Sequence, residues 1–215
     1  MPDFSKIFDK YEALVAEVDK IFQGVQQAHP DCMRCRIHCA DCCHAVFDLT
    51  LVEAIYMNRK FGQAFDEKAR EPILTRAETM DRQYYKVKRK LQKMHIDEGK
   101  SPEEVLLALS QERIRCPLLN DEDLCELYEA RPITCRVYGI PTSIGGKPHI
   151  CEHANFQEGT AYPTVNLDKM NDRLFALSRE LLEEIGSPMQ QMQISLVPPS
   201  VALITEYDDA YFGIE

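Results

Sequence analysis

Apolar residues near the start of the chain recur with the period of an α-helix. They stand seven residues apart from Phe4 onward, with further apolar pairs at the intermediate positions. The residues at the seven-residue interval are Phe4, Tyr11, Val18 and Val25. Because steps of three and four residues return to one side of a helix, the pattern predicts an amphipathic helix from Phe4 to Gln27. Its apolar stripe is expected to pack on the rest of the chain, or on a partner helix or a second copy.

A second helix carries the start signal known as a capping box. Thr50 and Glu53 have the spacing in which each side chain accepts a hydrogen bond from the backbone amide of the other residue. They predict a helix that starts after Thr50 and that Gly62 terminates. A highly charged helical stretch follows over residues 63–97. Pro72 is expected to interrupt or restart that helix, because its ring removes a backbone donor.

Further signals predict helices in the second half of the chain. Ser101 begins another capping box, and Asn166 precedes a long amphipathic pattern that Gly186 ends. The tail is ambiguous, with a short strand at Ile194–Val197 and a short helix after Pro199 as the expected elements. The predicted fold is therefore mostly α, with an irregular cysteine-rich loop-and-helix core flanked by long amphipathic helices.

The same pattern suggests three consecutive segments that pack as one unit. Residues 1–30 form the N-terminal amphipathic helix. Residues 31–155 form a cysteine-cluster metal-binding domain with a helical insertion at about 63–113. Residues 156–215 form a C-terminal helix and a tail that pack on the same domain.

The charge balance limits the classes of partner. The chain has 25 Lys and Arg against 35 Asp and Glu, which gives a net charge of −10. An acidic surface argues against nucleic-acid binding, which depends on cations that contact phosphate. The basic stretch at residues 82–96 is expected to be a solvated helix face, with an acidic partner as the alternative. Neither a secretory leader nor an apolar run of ~18 residues is visible, so we expect a soluble cytoplasmic protein and no membrane span.

Nine cysteines are the chemical anomaly of this sequence. Five stand close together near the N-terminus, and four are spread over a later stretch rich in proline and glycine. They are Cys32, Cys35, Cys39, Cys42 and Cys43, followed by Cys116, Cys125, Cys135 and Cys151. Thiolates are soft donors that select zinc, copper(I) or iron–sulfur clusters. Because the later four are too far apart to chelate alone, the pattern predicts that folding joins the two groups.

The sequence also leaves interpretations of the cysteines other than metal ligation open. Buried cysteines can be core filler, and a disulfide cluster is conceivable, but adjacent Cys42 and Cys43 make a poor bridge and cytoplasmic thiols stay reduced. The spacing from Cys35 through Cys39 to Cys42 is that of the radical-SAM cluster loop. No repeated strand–helix pattern follows it, however, which argues against radical-SAM chemistry. No other catalytic motif is visible, and the sequence leaves an enzymatic role open.

Several pieces of the chain, taken in order, form a specific signature. They are Cys39-Ala-Asp-Cys42-Cys43 with Asp48-Leu49-Thr50 and Glu53-Ala54, then Cys116-Pro117-Leu118-Leu119, the run from Cys125 to Tyr138 that contains Tyr-Glu-Ala-Arg-Pro-Ile-Thr-Cys-Arg, and Cys151. With them, residues 32–151 resemble the YkgJ-type cysteine-cluster family of zinc- or iron-chelating domain proteins.

The resemblance implies a set of eight metal ligands. By position they are Cys35, Cys39, Cys42, Cys43, Cys116, Cys125, Cys135 and Cys151. The family's opening spacing is Cys-x2-Cys-x2-Cys-Cys, whereas three residues separate Cys35 from Cys39 here and Cys32 is an additional upstream cysteine. Either Cys32 or Cys35 could therefore be the first ligand, with Cys35 favoured.

The metal is expected to be iron–sulfur, with zinc as the alternative. Eight thiols suit one or two centres, of the 4Fe-4S type, and adjacent cysteines point in different directions, so Cys42 and Cys43 more easily serve different irons than one compact zinc. Arg115, Arg131 and Arg136 could offset the charge of a cluster, or cap helices and pair with glutamates. Four histidines beside the cysteines are expected to form hydrogen bonds around the metal or to be exposed at the surface, with a ligand role as the alternative. They are His38, His44, His149 and His153.

The sequence thus predicts a cysteine-ligated metal-binding protein. The leading interpretation is an iron–sulfur protein that transfers electrons to or from a protein partner. The alternative is a zinc-binding structural or regulatory module without redox activity, in which the N-terminal helix offers a surface to a partner or to a second copy.

Overall fold

The structure, a computed structural model, describes residues 2–214 and is mostly α, as predicted. Within those residues the helices are α1 (Ser5–Ala28), α2 (Leu51–Ala64), α3 (Glu67–Ile96), α4 (Pro102–Ser110), α5 (Ile133–Val137), α6 (Leu167–Glu184) and α7 (Pro199–Ile204). The strands are β1 (Leu49–Thr50), β2 (Thr142–Ile144), β3 (Lys147–His149), β4 (Val165–Asn166) and β5 (Leu196–Val197). Long irregular stretches carry the cysteines between these elements.

Two small sheets fasten the irregular stretches to the helices. β1 pairs antiparallel with β5, so that Leu49 lies opposite Val197 although the two residues are far apart in sequence. β2 pairs antiparallel with β3 and parallel with β4, in the order β3-β2-β4. The tail strand and the short helix that follows it agree with the expected elements, although β5 begins later than predicted.

One large hydrophobic core joins residues from all three predicted segments. The stripe of α1 lies in that core, where Tyr11 and Val18 are fully buried. α1 packs against α5 and α6, and α2 packs against α6 and α7. The heptad residues of α1 are therefore covered by the chain itself. A second, smaller core forms where α3 meets the cysteine loops, from Val46, Met80, Tyr84 and Ile114.

The helix-start signals of the sequence are confirmed. Glu53 accepts hydrogen bonds from the amide and the hydroxyl of Thr50, at 3.1 and 2.8 Å. The Ser101 hydroxyl accepts a hydrogen bond from the Glu104 amide, and the Asn166 side chain accepts one from the Lys169 amide at the start of α6. Gly186 ends that helix with a φ of 68°, in the left-handed region that favours glycine.

Two predicted helix boundaries are wrong. Gly62 does not terminate α2, which continues to Ala64 because Phe61 is buried and its ring packs against Phe65 at 5.4 Å. Pro72 lies inside α3 and does not interrupt it. Pro72 removes one backbone hydrogen bond in the second turn of α3, and burial of the next residue, Ile73, stabilises the helix at that point.

Within the described part of the chain, no helix combines the length and apolarity that a membrane span requires.

Candidate metal centre

The fold brings the two cysteine groups together through the backbone. The Cys116 amide donates to the Cys43 carbonyl at 2.7 Å, and the Ile114 amide donates to the His44 carbonyl at 3.0 Å. Ala45 and Arg113 form an antiparallel bridge beside these bonds. The segment after the first cysteine group is thus aligned with the segment that opens the second group, as the spacing predicted.

Five of the eight expected ligands line one apolar cavity, which we call the inner thiol group. They are Cys42, Cys43, Cys116, Cys125 and Cys135. The cavity has a volume of about 40 Å³, and its remaining wall is mostly apolar, with Phe47, Met57, Met80 and Pro199 among its residues. Soft donors in an apolar pocket match the chemistry of a thiolate-bound metal.

The other three expected ligands form a second set nearer the surface, which we call the outer thiol group. They are Cys35, Cys39 and Cys151. Burial of the Cys35 sulfur raises its pKa to about 11, and the charges of Cys39, Cys151 and Cys42 add to the rise. Although Cys35 as a residue is exposed, its sulfur points inward against Gly139, where a Cβ atom would come within 2.1 Å of it. Gly139 thus provides the space that Cys35 occupies.

Cys32 is neither among the residues that line the inner cavity nor among the thiols that raise the pKa of Cys35. Its side chain packs against the hydrophobic core, and its carbonyl accepts the Asn155 amide at 2.9 Å. Cys116 and Cys125 pack against the same core, so the preference for Cys35 rests on the three thiols, Cys39, Cys42 and Cys151, that act on its sulfur. All nine cysteines are free thiols, so the structure holds no disulfide among residues 2–214.

The adjacent cysteines connect the two groups. Their sulfurs are 4.0 Å apart, and the hydrogen bond between them lowers the pKa of Cys42 to about 7 and raises the pKa of Cys43. Cys42 also raises the pKa of Cys35, which places it between the inner and outer groups.

The arginines beside the cysteines have different roles. Arg131 lines the inner cavity, and its guanidinium carbon lies 3.4 Å from the centre of the Tyr128 ring. Burial raises the pKa of Cys125 and Cys135, and the positive charge of Arg131 opposes that rise. Arg131 therefore supplies the cation that faces the thiols, whereas Arg115 pairs with Asp123 at the surface.

Arg136 is a structural residue. It is buried and makes two hydrogen bonds to the Asp19 carboxylate on α1, at 3.0 and 2.7 Å. Its remaining donors reach the carbonyls of Arg131 and Glu129. These bonds fasten the loop before α5 to the long first helix. Cys135 lies one residue before Arg136, so the same network positions that thiol.

Glu53 fixes the other end of α5. Besides closing the capping box of α2, its carboxylate accepts the Ile133 amide at 3.0 Å, although the two residues are far apart in sequence. Burial raises the pKa of Glu53, and its hydrogen bonds to Ile133 and Thr50 oppose the rise. The Thr50–Glu53 box and the Arg-Pro-x-x-Cys piece of the sequence signature are therefore parts of one structural unit.

The histidines do not enter the inner cavity. The Nδ1 atoms of His38 and His44 are bound to the carbonyl oxygens of Glu122 and Ala40, at 2.7 and 3.0 Å. His149 is exposed on β3, and His153 lies beside Asp41 with an N–O distance of 3.6 Å. None of these four histidines is among the residues that line the inner cavity, and their relation to a metal stays a prediction.

Sequence reasoning missed Asp41 as part of the site. Its Oδ2 atom lies 3.6 Å from the Cys151 sulfur, and it forms a set with Glu152 and His153 whose ligand atoms are within 4.8 Å of one another. The available signal was its place inside the cysteine run, between Cys39 and Cys42.

A mostly α fold that gathers eight thiols from two distant segments, five of them in one apolar cavity, defines a cysteine-based metal-chelating protein. The chain belongs to the CxxCxxCC family, whose model, described as "Putative zinc- or iron-chelating domain", matches residues 31–152, more than half of the sequence. This agrees with the resemblance noted from the motifs. No curated protein and no solved structure matches the chain.

Proposed function

We propose that this protein is an iron–sulfur protein that carries electrons to or from a protein partner. The observation that carries the proposal is the convergence of five thiols on one apolar cavity, with a cation, Arg131, in the same wall. An apolar shell and a nearby positive charge are the features by which proteins tune cluster potentials. The exposed residue Cys35 of the outer thiol group provides an edge close to solvent for electron exchange.

The spacing of the sulfurs supports a polynuclear cluster. A zinc ion with four thiolates at about 2.3 Å places the sulfurs roughly 3.8 Å apart. Among residues 2–214, the sets of three or more metal-binding side chains within 4.8 Å comprise only Asp41, Glu152 and His153. Although the Cys42 and Cys43 sulfurs are 4.0 Å apart, no three thiols of the described residues lie within 4.8 Å of one another, which suits a cluster that contributes its own sulfide.

We further propose that the eight thiols divide into two sets of four. Cys43 would join Cys116, Cys125 and Cys135, because its carbonyl binds the Cys116 amide, whereas Cys42 acts on the thiols of both groups and also raises the pKa of Cys35. Cys42 would join the outer thiol group of Cys35, Cys39 and Cys151. Each set would then hold one 4Fe-4S cluster, and the adjacent cysteines would serve different clusters.

Metal and sulfide analysis without oxygen tests the proposal. Protein purified anaerobically should contain iron and acid-labile sulfide, absorb visible light and bleach reversibly on reduction. Cys135→Ser should lose the cluster of the inner thiol group, and Cys32→Ser, the matched control, should leave both clusters intact. Colourless protein with stoichiometric zinc would refute the iron–sulfur proposal, and iron that cannot be reduced and reoxidised would refute electron transfer.

A zinc module is the second candidate, because the inner cavity is small. A volume of about 40 Å³ has room for a single ion, which the thiols would bind by moving closer together. In that case the metal only joins the two cysteine segments, and chelation should unfold a colourless protein, since structural zinc contributes roughly 10–16 kcal/mol in zinc-finger peptides. A visible spectrum that persists until the iron is removed would exclude this candidate.

The partner is proposed to bind near the outer thiol group rather than at the apolar stripe of α1, which the chain itself covers. Nine free thiols also favour a reducing compartment such as the cytoplasm. Cross-linking from a reactive group attached at Arg36, beside the outer thiols, should capture the partner, whereas the same group at Gln26 on α1 should not.

A further inference from the structure

A solvent-open groove lies beside the outer thiol group, and we call it the cationic groove. It has a volume of about 510 Å³, within the range of small-molecule sites. Three arginines and three histidines contribute to its wall: Arg34, Arg36, Arg113, His38, His44 and His153. Such a concentration of cationic and basic groups is unexpected in a chain with a net charge of −10.

The two acidic side chains that line the groove are paired with arginines, while the Glu152 carboxylate lies within 4.8 Å of the Asp41 and His153 ligand atoms at its edge. Asp41 forms an ion pair with Arg113, and Asp123 pairs with Arg115 at 3.5 Å. The side chains of Arg34 and Arg36, in contrast, form no ion pair or hydrogen bond with any residue of 2–214.

Two histidines of the groove, His38 and His44, use only Nδ1 in their hydrogen bonds to residues of 2–214. A carbonyl oxygen can only accept, so the Nδ1 atoms of His38 and His44 donate to Glu122 and Ala40. In the neutral ring, Nε2 then keeps a lone pair that can accept a hydrogen bond from a hydroxyl or from a protonated phosphate.

The backbone of the groove is held in a strained form. His38 and Asp123 have φ values of 68° and 57°, and they are the non-glycine residues with positive φ among residues 2–214. Both line the cationic groove. Left-handed conformations of such residues are unfavourable and concentrate at binding and active sites. This observation is independent of the charge distribution and points to the same place.

We propose that the cationic groove binds a small anion that carries phosphate or carboxylate groups, held by Arg34 and Arg36. The planar guanidinium group matches both kinds of oxyanion through paired hydrogen bonds. Because Cys39 is also in the wall, the bound anion lies against the outer thiol group. The site goes beyond electron transfer and does not depend on which metal the thiols hold.

Calorimetric titration of the purified, metal-loaded protein tests this site. Inorganic phosphate and citrate, titrated separately, distinguish the two kinds of anion, and at least one should bind saturably with one site per chain. In the double variant Arg34→Gln/Arg36→Gln, affinity should fall by about tenfold for each arginine removed. The matched control Lys86→Gln/Arg89→Gln removes the same charge from the exposed face of α3 and should leave the affinity unchanged.

Three outcomes would overturn the proposal. One is the absence of saturable binding for both anions at millimolar concentration. Another is an equal loss of affinity in the α3 control, which would show a non-specific effect of net charge. The third is binding of a polyglutamate peptide that neither phosphate nor citrate displaces, which would identify the groove as a protein-docking surface. Metal content and circular dichroism, measured on each variant, separate these results from misfolding.

Discussion

Arg131 and Arg136 show how two similar residues, five positions apart, acquire different functions. Arg136 points into the protein and binds Asp19 and two backbone carbonyls, whereas Arg131 lies against Tyr128 and faces the inner cavity. The sequence identified both as neighbours of the cysteines but could not separate them. Their roles depend on α1, which is distant in sequence, and on which way the turn before α5 faces.

Replacing Arg136 should destabilise the protein. Lysine keeps the charge but cannot make paired bonds to Asp19 together with the two carbonyl bonds, so Arg136→Lys should lower the free energy of unfolding by about 2–4 kcal/mol. The control is Arg173→Lys, which disrupts a comparable paired contact with Glu17 at an exposed position and should cost about 1 kcal/mol or less. Urea denaturation measures both, and equal losses would contradict a special role for Arg136.

Replacing Arg131 should change the metal centre rather than the fold. Reduction adds negative charge, and a nearby cation stabilises the reduced state, so Arg131→Gln should make the reduction potential of the cluster proposed for the inner thiol group more negative. A shift of about 60 mV corresponds to about 1.4 kcal/mol for one electron. Anaerobic redox titration followed by visible absorption measures it. Arg115→Gln removes a charge that Asp123 already neutralises, and a shift as large in that variant would contradict the assignment.

At the scale of elements, the short helix α5 depends on its neighbours for its position. It has five residues, which is too few for a helix to be stable by itself. Glu53 holds its first amide and Arg136 holds its last turn, so α2 and α1 together place Cys135 in the inner cavity. The sequence predicted the capping box of α2, but the second bond of Glu53 belongs to the tertiary structure.

Glu53→Ala should therefore cost more than an ordinary capping substitution. It removes the acceptor for three donors in a buried position, and we expect a loss of about 3 kcal/mol or more, with reduced metal content. Glu104→Ala provides a matched control, because Glu104 closes an exposed capping box in α4 and should cost about 1 kcal/mol. Denaturation curves and metal analysis compare the two, and equal effects would show that the bond to Ile133 is unimportant.

The two wrong helix boundaries have a common physical cause. Glycine and proline signals describe local backbone preference, and burial outweighs that preference at Gly62 and Pro72 because Phe61 and Ile73 are held in the core. The caps at Thr50, Ser101 and Asn166 were predictable because they rest on side chains a few residues apart. Local rules therefore located where helices begin better than where they end.

At the scale of the whole molecule, the site is assembled from two cysteine groups that are far apart in sequence, and neither group forms it alone. The sequence signature gave the eight candidate thiols, and the structure sorts them into inner and outer groups. That sorting could not be predicted, because it depends on the bridge between Ala45 and Arg113 and on the orientation of the two adjacent cysteines. Asp41 was missed for the same reason, since its contact with Cys151 spans more than a hundred residues.

Metal binding to the inner thiol group should release protons. Burial raises the pKa of Cys116 to about 12 and the pKa of Cys135 well above its usual value, so both thiols are protonated at neutral pH until a metal displaces their protons. Apparent affinity should then rise with pH, by about tenfold per pH unit for each proton released. Competition of zinc between the protein and a chromophoric chelator at several pH values measures this slope. A flat profile would mean that these thiols are not ligands.

The tail of the protein has a consequence for biosynthesis. Pro199, at the start of α7, forms part of the inner cavity wall, and β5 just before it pairs with β1. All nine cysteines therefore precede Pro199 in the order of synthesis, so the part of the cavity wall that Pro199 supplies is made after every thiol. A metal that binds before α7 has packed would meet a cavity open on that side, and the packing of α7 would then close it.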